Sequence, residues 1–538
     1  MNSNDAPLAK ERLEQAQRKG DPEQIARTLA SNLWPLYSSH YELMTRAIVA
    51  LPSSVLERYP TLRLIHPMTR VLARTTRPFK PLVLPDEAKS MEPDELDLLT
   101  VAQIIAFRTS GDIESSLLYA KRLEERIIRV RVEMRERTDG PLWYFHLEIG
   151  STLLAAGQTS QALLDFSTAR QLAGYALQED GARMVLSRIA LTHAIRGSYD
   201  YASAALAEAL AEPALSPAHV ASFQATEAAA AALIAVDSMA DDLDEALQRL
   251  EPYDSFELTW PFALLARTRA SLARHHPEDA LEMVRLAQDA HRVQDGTFGS
   301  DVISSATIEA LTSMGHGMAT PRMARALATP APGVLTRLAM ARLALHDGNL
   351  RSADAGIRDL LGDDLLGPAH RAETTLLAAW LDFARTDDVD DLAARQLLRI
   401  AGNRHARRLF TSMPRQFVDR VQARLSAADA QRFVTALAGL PLADAQSRPR
   451  LTRSEVRVLK ALTSNATTAM IASALHISPN TVKSQLQSAY RKLNVSTREE
   501  ALRTAFRLRL IDPSVRTTGR ASTTSPAPFS GSSPAQMR

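Results

Sequence analysis

Residues 451–511 read LTRSEVRVLKALTSNATTAMIASALHISPNTVKSQLQSAYRKLNVSTREEALRTAFRLRLI, and their pattern predicts four short helices. A residue whose side chain caps a helix N-terminus stands before each of the first three helices. These caps are Thr452, Thr467 and Ser478. The pair His476-Ile477 is expected to form the tight turn between the second and third helices. This arrangement is that of a small helix-turn-helix domain.

The third predicted helix has one apolar face. Its apolar residues recur at i, i+4, i+7 and i+11, a spacing that places them together against a core; they are Val482, Leu486, Ala489 and Leu493. The other face carries polar and cationic side chains of the kind that contact base edges and phosphates; they are Asn480, Lys483, Ser484, Gln487 and Arg491. No acid lies between Glu455 and Glu499, which favours a surface that meets phosphates.

The charge distribution separates this segment from the rest of the chain. Residues 446–511 hold 12 Lys and Arg against 3 Asp and Glu, whereas residues 1–445 hold 48 against 57. A small basic module on a large acidic body suits a protein in which one part meets a polyanion. The chain has no cysteine, which excludes disulfides, thiolate metal sites and thiol nucleophiles.

A second pattern recurs between residues 93 and 440. A helical stretch ends in Gly or a polar turn, and a small residue, usually Ala, follows about five positions later. Examples of the closing Gly are Gly111, Gly157, Gly197 and Gly348, and His275-His276 stands in a similar turn. Gly ends a helix in the left-handed conformation, and Ala lets the next helix pack closely. Helix pairs repeated in this way are expected to stack into a solenoid with a concave face.

The C-terminal pattern resembles a known family. The string SPNTVKSQLQSAYRKLNV at residues 478–495 is similar to the LuxR-type helix-turn-helix signature, and Arg498-Glu-Glu-Ala501 matches the fourth helix of that family. By this resemblance Lys483, Ser484 and Gln487 align with base-contacting positions. The resemblance implies a supporting or phosphate-contacting role for Thr481, Val482, Arg491 and Lys492, and a dimer contact through Ala501, Leu502, Ala505 and Leu508.

The body resembles the tetratricopeptide-like (TPR-like) repeat region of MalT-like regulators. Those relatives carry an ATPase, but this chain has no Gly-Lys dipeptide and hence no P-loop. The predicted fold is all-α, a TPR-like solenoid followed by a four-helix LuxR-type domain. The predicted divisions are a helical lead-in at 1–92, repeats at 93–440, a linker at 441–450, the DNA-binding domain at 451–511 and a disordered tail at 512–538.

These features predict a cytoplasmic transcription regulator that is not an enzyme and needs no cofactor or metal. Double-stranded promoter DNA is the expected partner of a homodimer, with RNA polymerase as a candidate partner and an unidentified protein or small-molecule effector at the repeats. No membrane partner is expected. The alternative is a repeat scaffold whose C-terminal helices bind protein instead of DNA. The adjacent residues Trp143, Tyr144 and Phe145 are interpreted as core, with a ligand pocket as the alternative.

Overall fold

A computed structural model describes residues 5–65, 91, 93–130, 141–174, 176, 178–216, 219–253, 259–314, 323, 328, 330–442, 451, 453–464, 467–493, 495, 497–507 and 511. Within these residues the regular elements are helices and there is no β-strand, which confirms the all-α prediction. The predicted tail at 512–538 and all but two residues of the predicted linker lie outside the described residues.

The chain divides into two compact units, residues 1–444 and 445–538. The domain limits given by the sequence remain predictions. The first unit begins with six short helices: α1 (Asp5–Lys19), α2 (Pro22–Ser31), α3 (Leu33–Ser39), α4 (Tyr41–Val49), α5 (Ser53–Leu56) and α6 (Pro60–Ile65). These helices bury a small apolar core of their own, which includes Leu13, Leu29, Leu36 and Ile48.

Further helices follow in the described residues, most of them in pairs joined by a short turn. The first half contains α7 (Pro93–Thr109), α8 (Ile113–Val130), α9 (Leu142–Ala155), α10 (Thr159–Ala173), α11 (Gly181–Arg196), α12 (Tyr199–Ala211), α13 (Val220–Ser238) and α14 (Leu243–Gln248). The second half contains α15 (Trp260–Ala273), α16 (Pro277–Ala290), α17 (Phe298–Ser313), α18 (Val334–His346), α19 (Leu350–Leu361), α20 (Pro368–Thr386), α21 (Asp391–Ala401), α22 (Arg407–Thr411), α23 (Arg415–Arg424) and α24 (Ala427–Ala436). Short 3₁₀ turns lie at Glu251–Tyr253 and Arg404–Ala406.

The turn inside each pair has a recurring geometry. Gly157, Gly197 and Gly348 have left-handed backbones, with φ of 79°, 76° and 69°. Met239 and His275 take the same conformation, with φ of 47° and 60°, at the equivalent places in two other pairs. After each of these five residues, the next N–H donates to the carbonyl five positions earlier at 2.8–3.0 Å. This is the Schellman ending of a helix, and it confirms the predicted role of the glycines.

Small residues allow the second helix of a pair to approach the first. Ser116, Ala162, Ala202, Ala280 and Ala353 each stand five positions after the left-handed residue or its equivalent. All five are fully buried, as the sequence pattern predicted. A larger side chain there would push the paired helices apart, because packed interiors leave little free volume.

The two helices of a pair are buried to different extents. In α17 all but three residues are buried, and α9, α11, α13 and α15 are buried on most sides. The second helices, such as α10 and α16, bury only one face. The first helices also hold buried ion pairs, such as Arg108 with Glu148 and Arg269 with Asp237. The first helices therefore form the interior of this unit.

Contacts in the first unit extend beyond neighbouring pairs. The side-chain oxygen of Gln294 accepts the N–H of Ile113 at 2.8 Å. The hydroxyl oxygen of Ser238 lies 2.6 Å from Nδ1 of His405 and forms a hydrogen bond with it. An open solenoid contacts only its nearest repeats. The helices here pack against partners about 170 positions away as well, and the solenoid itself remains a prediction.

One described helix is apolar and long enough to cross a membrane, α13 at Val220–Ser238. Most of it is buried inside the protein, and it carries the buried acids Glu227 and Asp237, both of which form ion pairs. These properties are those of a core helix. Trp143 and Phe145 on α9 are also buried, which confirms the interpretation of these two residues as part of the core of the first unit.

Candidate nucleic-acid interface

The second unit consists of four described helices: α25 (Arg453–Ser464), α26 (Thr468–Leu475), α27 (Pro479–Leu493) and α28 (Arg498–Arg507). They enclose one apolar cluster of buried residues: Val458, Leu459, Leu462, Ile471, Ala472, Val482, Leu486, Ala489, Leu493, Ala501, Ala505 and Ile511. Each helix contributes to this cluster, so the unit has a hydrophobic core of its own.

The turn between α26 and α27 forms as the sequence predicted. His476 is left-handed, with φ 55°, and the N–H of Ile477 donates to the carbonyl of Ala472 at 3.0 Å. Ser478 caps α27, because its hydroxyl accepts the N–H of Thr481 at 3.1 Å. Thr467 caps α26 in the same way. These bonds fix the angle at which α27 leaves the turn. The predicted cap Thr452 lies outside the described residues.

Helix α27 separates an apolar face from a polar one. All four residues of the predicted stripe are buried: Val482, Leu486, Ala489 and Leu493. On the opposite face four of the predicted contact residues are exposed: Asn480, Lys483, Ser484 and Gln487. Thr481 is half-buried, with its hydroxyl 2.8 Å from that of Ser478. Arg491 and Lys492 belong to the helix, but their side chains lie outside the described part of the chain.

Two details of the neighbouring helices differ from the sequence pattern. Helical period predicts that Ala474, three positions after Ile471, faces the core with it, but Ala474 is exposed and Ala472 is buried in its place. In α25 the fully buried valine is Val458, while Val456 is only half-buried. Alanine and valine fit either environment at small cost, so the apolar period alone does not decide which of two such residues faces inward.

The fourth helix carries two stabilising contacts that the sequence interpretation missed. Thr497 and Glu500 form a capping box, in which each side chain accepts the backbone N–H of the other residue at 3.2 and 3.1 Å. The Thr-x-x-Glu spacing is the signal that could have revealed it. Arg498 donates to the carbonyl of Leu462 at 2.7 Å and so ties α28 to the end of α25. Burial raises the pKa of Tyr490, opposed by the nearby charge of Arg498, so this phenol is neutral at physiological pH.

The residues predicted for a dimer contact lie mainly inside the domain. Ala501 and Ala505 are fully buried in its own core, and Leu502 is half-buried. Leu508 lies outside the described residues. In this structure the two alanines therefore offer no side-chain surface to a second copy, because they hold α28 against the other helices.

A family model confirms the resemblance. Residues 449–505 match the model of the luxR family of bacterial regulatory proteins. The C-terminal unit contains a LuxR-family domain. Domains of this type bind double-stranded DNA, often as dimers, and the LuxR domain thus gives the chain the DNA-binding module of a transcription regulator. The model covers only this part, and no curated protein matches the chain.

Proposed function

We propose that α27 of the LuxR domain enters the major groove of promoter DNA and reads its sequence. The observation that carries this proposal is the exposed face of α27, where Lys483, Ser484 and Gln487 project from a helix held by a fully apolar opposite face. The side chains of lysine and glutamine form hydrogen bonds with base edges in the major groove. A rigid support is needed because such contacts depend on position.

The remaining candidate residues have supporting roles in this proposal. Val482 fixes the helix in the core, and Thr481 closes the cap with Ser478. Asn480, near the N-terminus of α27, is placed to contact DNA. Arg491 and Lys492 near its end supply phosphate contacts that position the domain without reading sequence.

We further propose that the regulator binds as a homodimer through α28. Since Ala501 and Ala505 are buried, the contact has to use the other face of this helix, where Leu502 is half-buried and Glu499 and Arg503 are exposed. Salt bridges between acids and bases on paired helices are a common way to fix such contacts. RNA polymerase is a candidate partner of the bound dimer.

The repeat body is proposed to act as the sensor that controls the LuxR domain in the cytoplasm, without catalysis or a cofactor. Its acidic balance disfavours a second contact with DNA, since phosphates repel it. Its buried, charged interior supports a role in binding an effector. Among the described residues, no cluster of three or more His, Asp or Glu could hold a metal ion.

Selection of duplexes from a random pool by the full chain tests the proposal. We expect enrichment of one palindromic motif, because a symmetric dimer reads two half-sites. Gln487→Ala should enrich a more degenerate motif, and the exposed Lys10→Ala should enrich the same motif as the wild type. If the C-terminal helices bind protein instead, the pool will show no enrichment, and the proposal is wrong.

A further inference from the structure

A short segment at the end of the repeat body is bound to the body at both of its ends. This segment, residues 437–442, follows α24 and includes the first two residues of the predicted linker; we call it the strap. Arg407 at the start of α22 donates from Nη1 to the carbonyl of Ala436 at 2.7 Å and from Nη2 to that of Ala438 at 2.8 Å. Because an arginine that binds the last carbonyls of a helix fixes the helix end, the beginning of the strap is fixed to α22.

The far end of the strap is bound to the turn between α15 and α16. Nε2 of His275 donates to the carbonyl of Pro441, 166 positions later in the chain, at 2.9 Å. The turn itself is held in place, because the hydroxyl of Ser271 donates to the carbonyl of His276 at 2.7 Å. The strap therefore joins α22 to a fixed turn of another helix pair.

His275 occupies a position where other helix pairs have glycine. Gly157, Gly197 and Gly348 take the left-handed conformation at the equivalent turns without steric cost. His275 takes it with φ 60°, which is a strained conformation for a residue with a side chain. Strain of this kind persists where the side chain has a role. The bond to Pro441 is the contribution that a glycine could not make.

The strap is also packed against the body. Leu437 is buried, and Leu440 and Leu442 are half-buried against the apolar cluster that α18 to α24 enclose. The N–H of Leu440 donates to the carbonyl of Leu437 at 3.2 Å, and the N–H of Leu442 donates to the carbonyl of Leu440 at 2.9 Å. These amides exchange with water faster when a segment opens, so they report whether the strap is bound.

The two anchors of the strap lie on elements that meet at one buried carboxylate. Arg269 of α15, the helix that leads into the turn of His275, donates to Asp237 at 2.9 Å. Arg408 of α22, next to Arg407, donates to the other oxygen of Asp237. Burial alone would raise the pKa of Asp237, but the two arginines hold it below its ordinary value. A change in the separation of α15 and α22 thus changes the distance between the two anchors.

We propose that the strap couples the junction of α15 and α22 to the length of chain between the repeat body and the LuxR domain. While the junction is closed, both anchors hold the strap; when α15 and α22 separate, the strap detaches. Its six residues then add at most about 20 Å to the reach of the chain, since an extended residue spans about 3.3–3.6 Å. This assignment deepens the proposed function, because it rests on the sensor role of the body and names the element through which the body controls the LuxR domain.

Hydrogen–deuterium exchange of the full chain, followed by mass spectrometry, tests the anchor at the turn. His275→Gly removes the imidazole and suits the left-handed backbone. We expect exchange in the strap to rise about fivefold, the factor for one lost hydrogen bond, while exchange in α15 and α16 does not rise. Met239→Gly makes the same backbone change at another turn and should leave the strap unchanged. Wild-type exchange in the strap of His275→Gly overturns the assignment.

A substitution that does not contact the strap tests the coupling. Asp237→Asn should also raise exchange in the strap, because it weakens the junction of α15 and α22. Glu227→Gln removes another buried carboxylate of α13, whose partner Arg183 lies on α11, and should leave the strap unchanged. Equal exchange in the two variants overturns the coupling. Circular dichroism shows whether each variant is folded, and Arg269→Lys makes the same test if Asp237→Asn is not.

The length of the released chain can be measured because the sequence has no cysteine to compete for labels. Spin labels at Ser352→Cys of the body and Ser473→Cys of the LuxR domain, both exposed positions, report the distances between the units. With His275→Gly and Arg407→Ala together we expect these distances to extend by up to about 20 Å, and with Met239→Gly we expect no change. An unchanged distribution in the double variant overturns the proposal.

None of these measurements contains DNA, so the two proposals fail separately. A chain whose strap responds as expected but that selects no duplex refutes the DNA-binding proposal alone. A chain that selects a duplex while its strap ignores His275→Gly and Asp237→Asn refutes only the present assignment.

Discussion

The two units of this protein place their charges in opposite ways. In the repeat body, charged residues are buried on the first helices of the pairs, where Asp237 meets Arg269 and Arg408. In the LuxR domain, the core is almost wholly apolar and the cations stand outside, as Lys483 does. In the described residues both units are built from helices. The difference lies in where the polar face of each helix points.

This comparison shows what each unit can recognise. Exposed cations attract a large external polyanion, and their effect is screened by salt. Buried ions interact through a medium that screens them weakly, and they can only meet a group small enough to enter. The LuxR domain is thus suited to DNA, whereas the buried charges of the body are not available to a large polyanion. The predictions that follow change one unit and leave the other as a control.

The largest effect is expected from a charge in the core of the LuxR domain. Leu486→Asp should unfold this domain, because loss of the leucine costs about 2–5 kcal/mol and an unpaired charge adds to it. Duplex binding should vanish, while the unfolding transition of the body in urea stays in place. The neighbouring Gln487→Asp, on the exposed face, should leave the domain folded. Full duplex binding by Leu486→Asp would contradict the assignment of the two faces of α27.

Next in size is a broken ion pair in the body. Asp237→Ala leaves Arg269 and Arg408 buried without their carboxylate, and we expect the free energy of unfolding of the body to fall by about 3–5 kcal/mol. Glu208→Ala, which removes an exposed partner of Arg170, should lower it by about 1 kcal/mol or less. Urea unfolding measures both. Equal effects of the two substitutions would show that the interior charges are not sealed from water.

The interior should also make the body sensitive to acid. Burial, with the charge of Arg269 second, lowers the pKa of His370 to about 4. An unfolded histidine has a pKa of about 6.5. The contribution of neutral His370 to the free energy of unfolding is therefore complete above that pH and is lost as the pH falls toward 4, by up to about 3 kcal/mol. His370→Leu should remove this part of the pH profile, and the exposed His276→Leu should not. Identical profiles for all three proteins would refute the prediction.

A smaller effect is expected at the exposed face of α27, which we propose reads DNA. Lys483→Ala should weaken binding to the selected duplex by about 1–3 kcal/mol and reduce the preference for it over a scrambled duplex. Lys460→Ala, an exposed lysine on α25, should keep that preference, and Arg491→Ala or Lys492→Ala should weaken binding to both duplexes alike. Fluorescence anisotropy with the two duplexes measures this. Unchanged preference in Lys483→Ala would mean that α27 does not read the bases.

Local patterns in the sequence predicted much of the molecule. The stripe from Val482 to Leu493 and the turn at His476 follow from helical period and capping, which depend on residues a few positions apart. Gly157 and Gly197 indicated helix pairs in the same way, because a glycine that ends a helix is also a local signal. The left-handed backbone of Met239 could not be predicted, because nothing in a methionine signals this conformation.

Contacts between distant residues could not be predicted in this way. Nothing near Asp237 in the sequence indicates that Arg408 is its partner, since the pair forms only when separate helices pack together. The burial of Ala501 and Ala505 could not be predicted from the sequence for a similar reason. Alanine suits both a core and a helix interface, and only the position of α28 against α25 and α27 decides between them.

The salt dependence of duplex binding tests the central claim most directly. The affinity of the full chain for its selected duplex should be measured from about 50 to about 200 mM salt. We predict that its logarithm falls linearly with the logarithm of the salt concentration, with a slope of about −0.9 for each phosphate contacted. An affinity that does not change with salt, or no binding at the lowest concentration, would contradict the account.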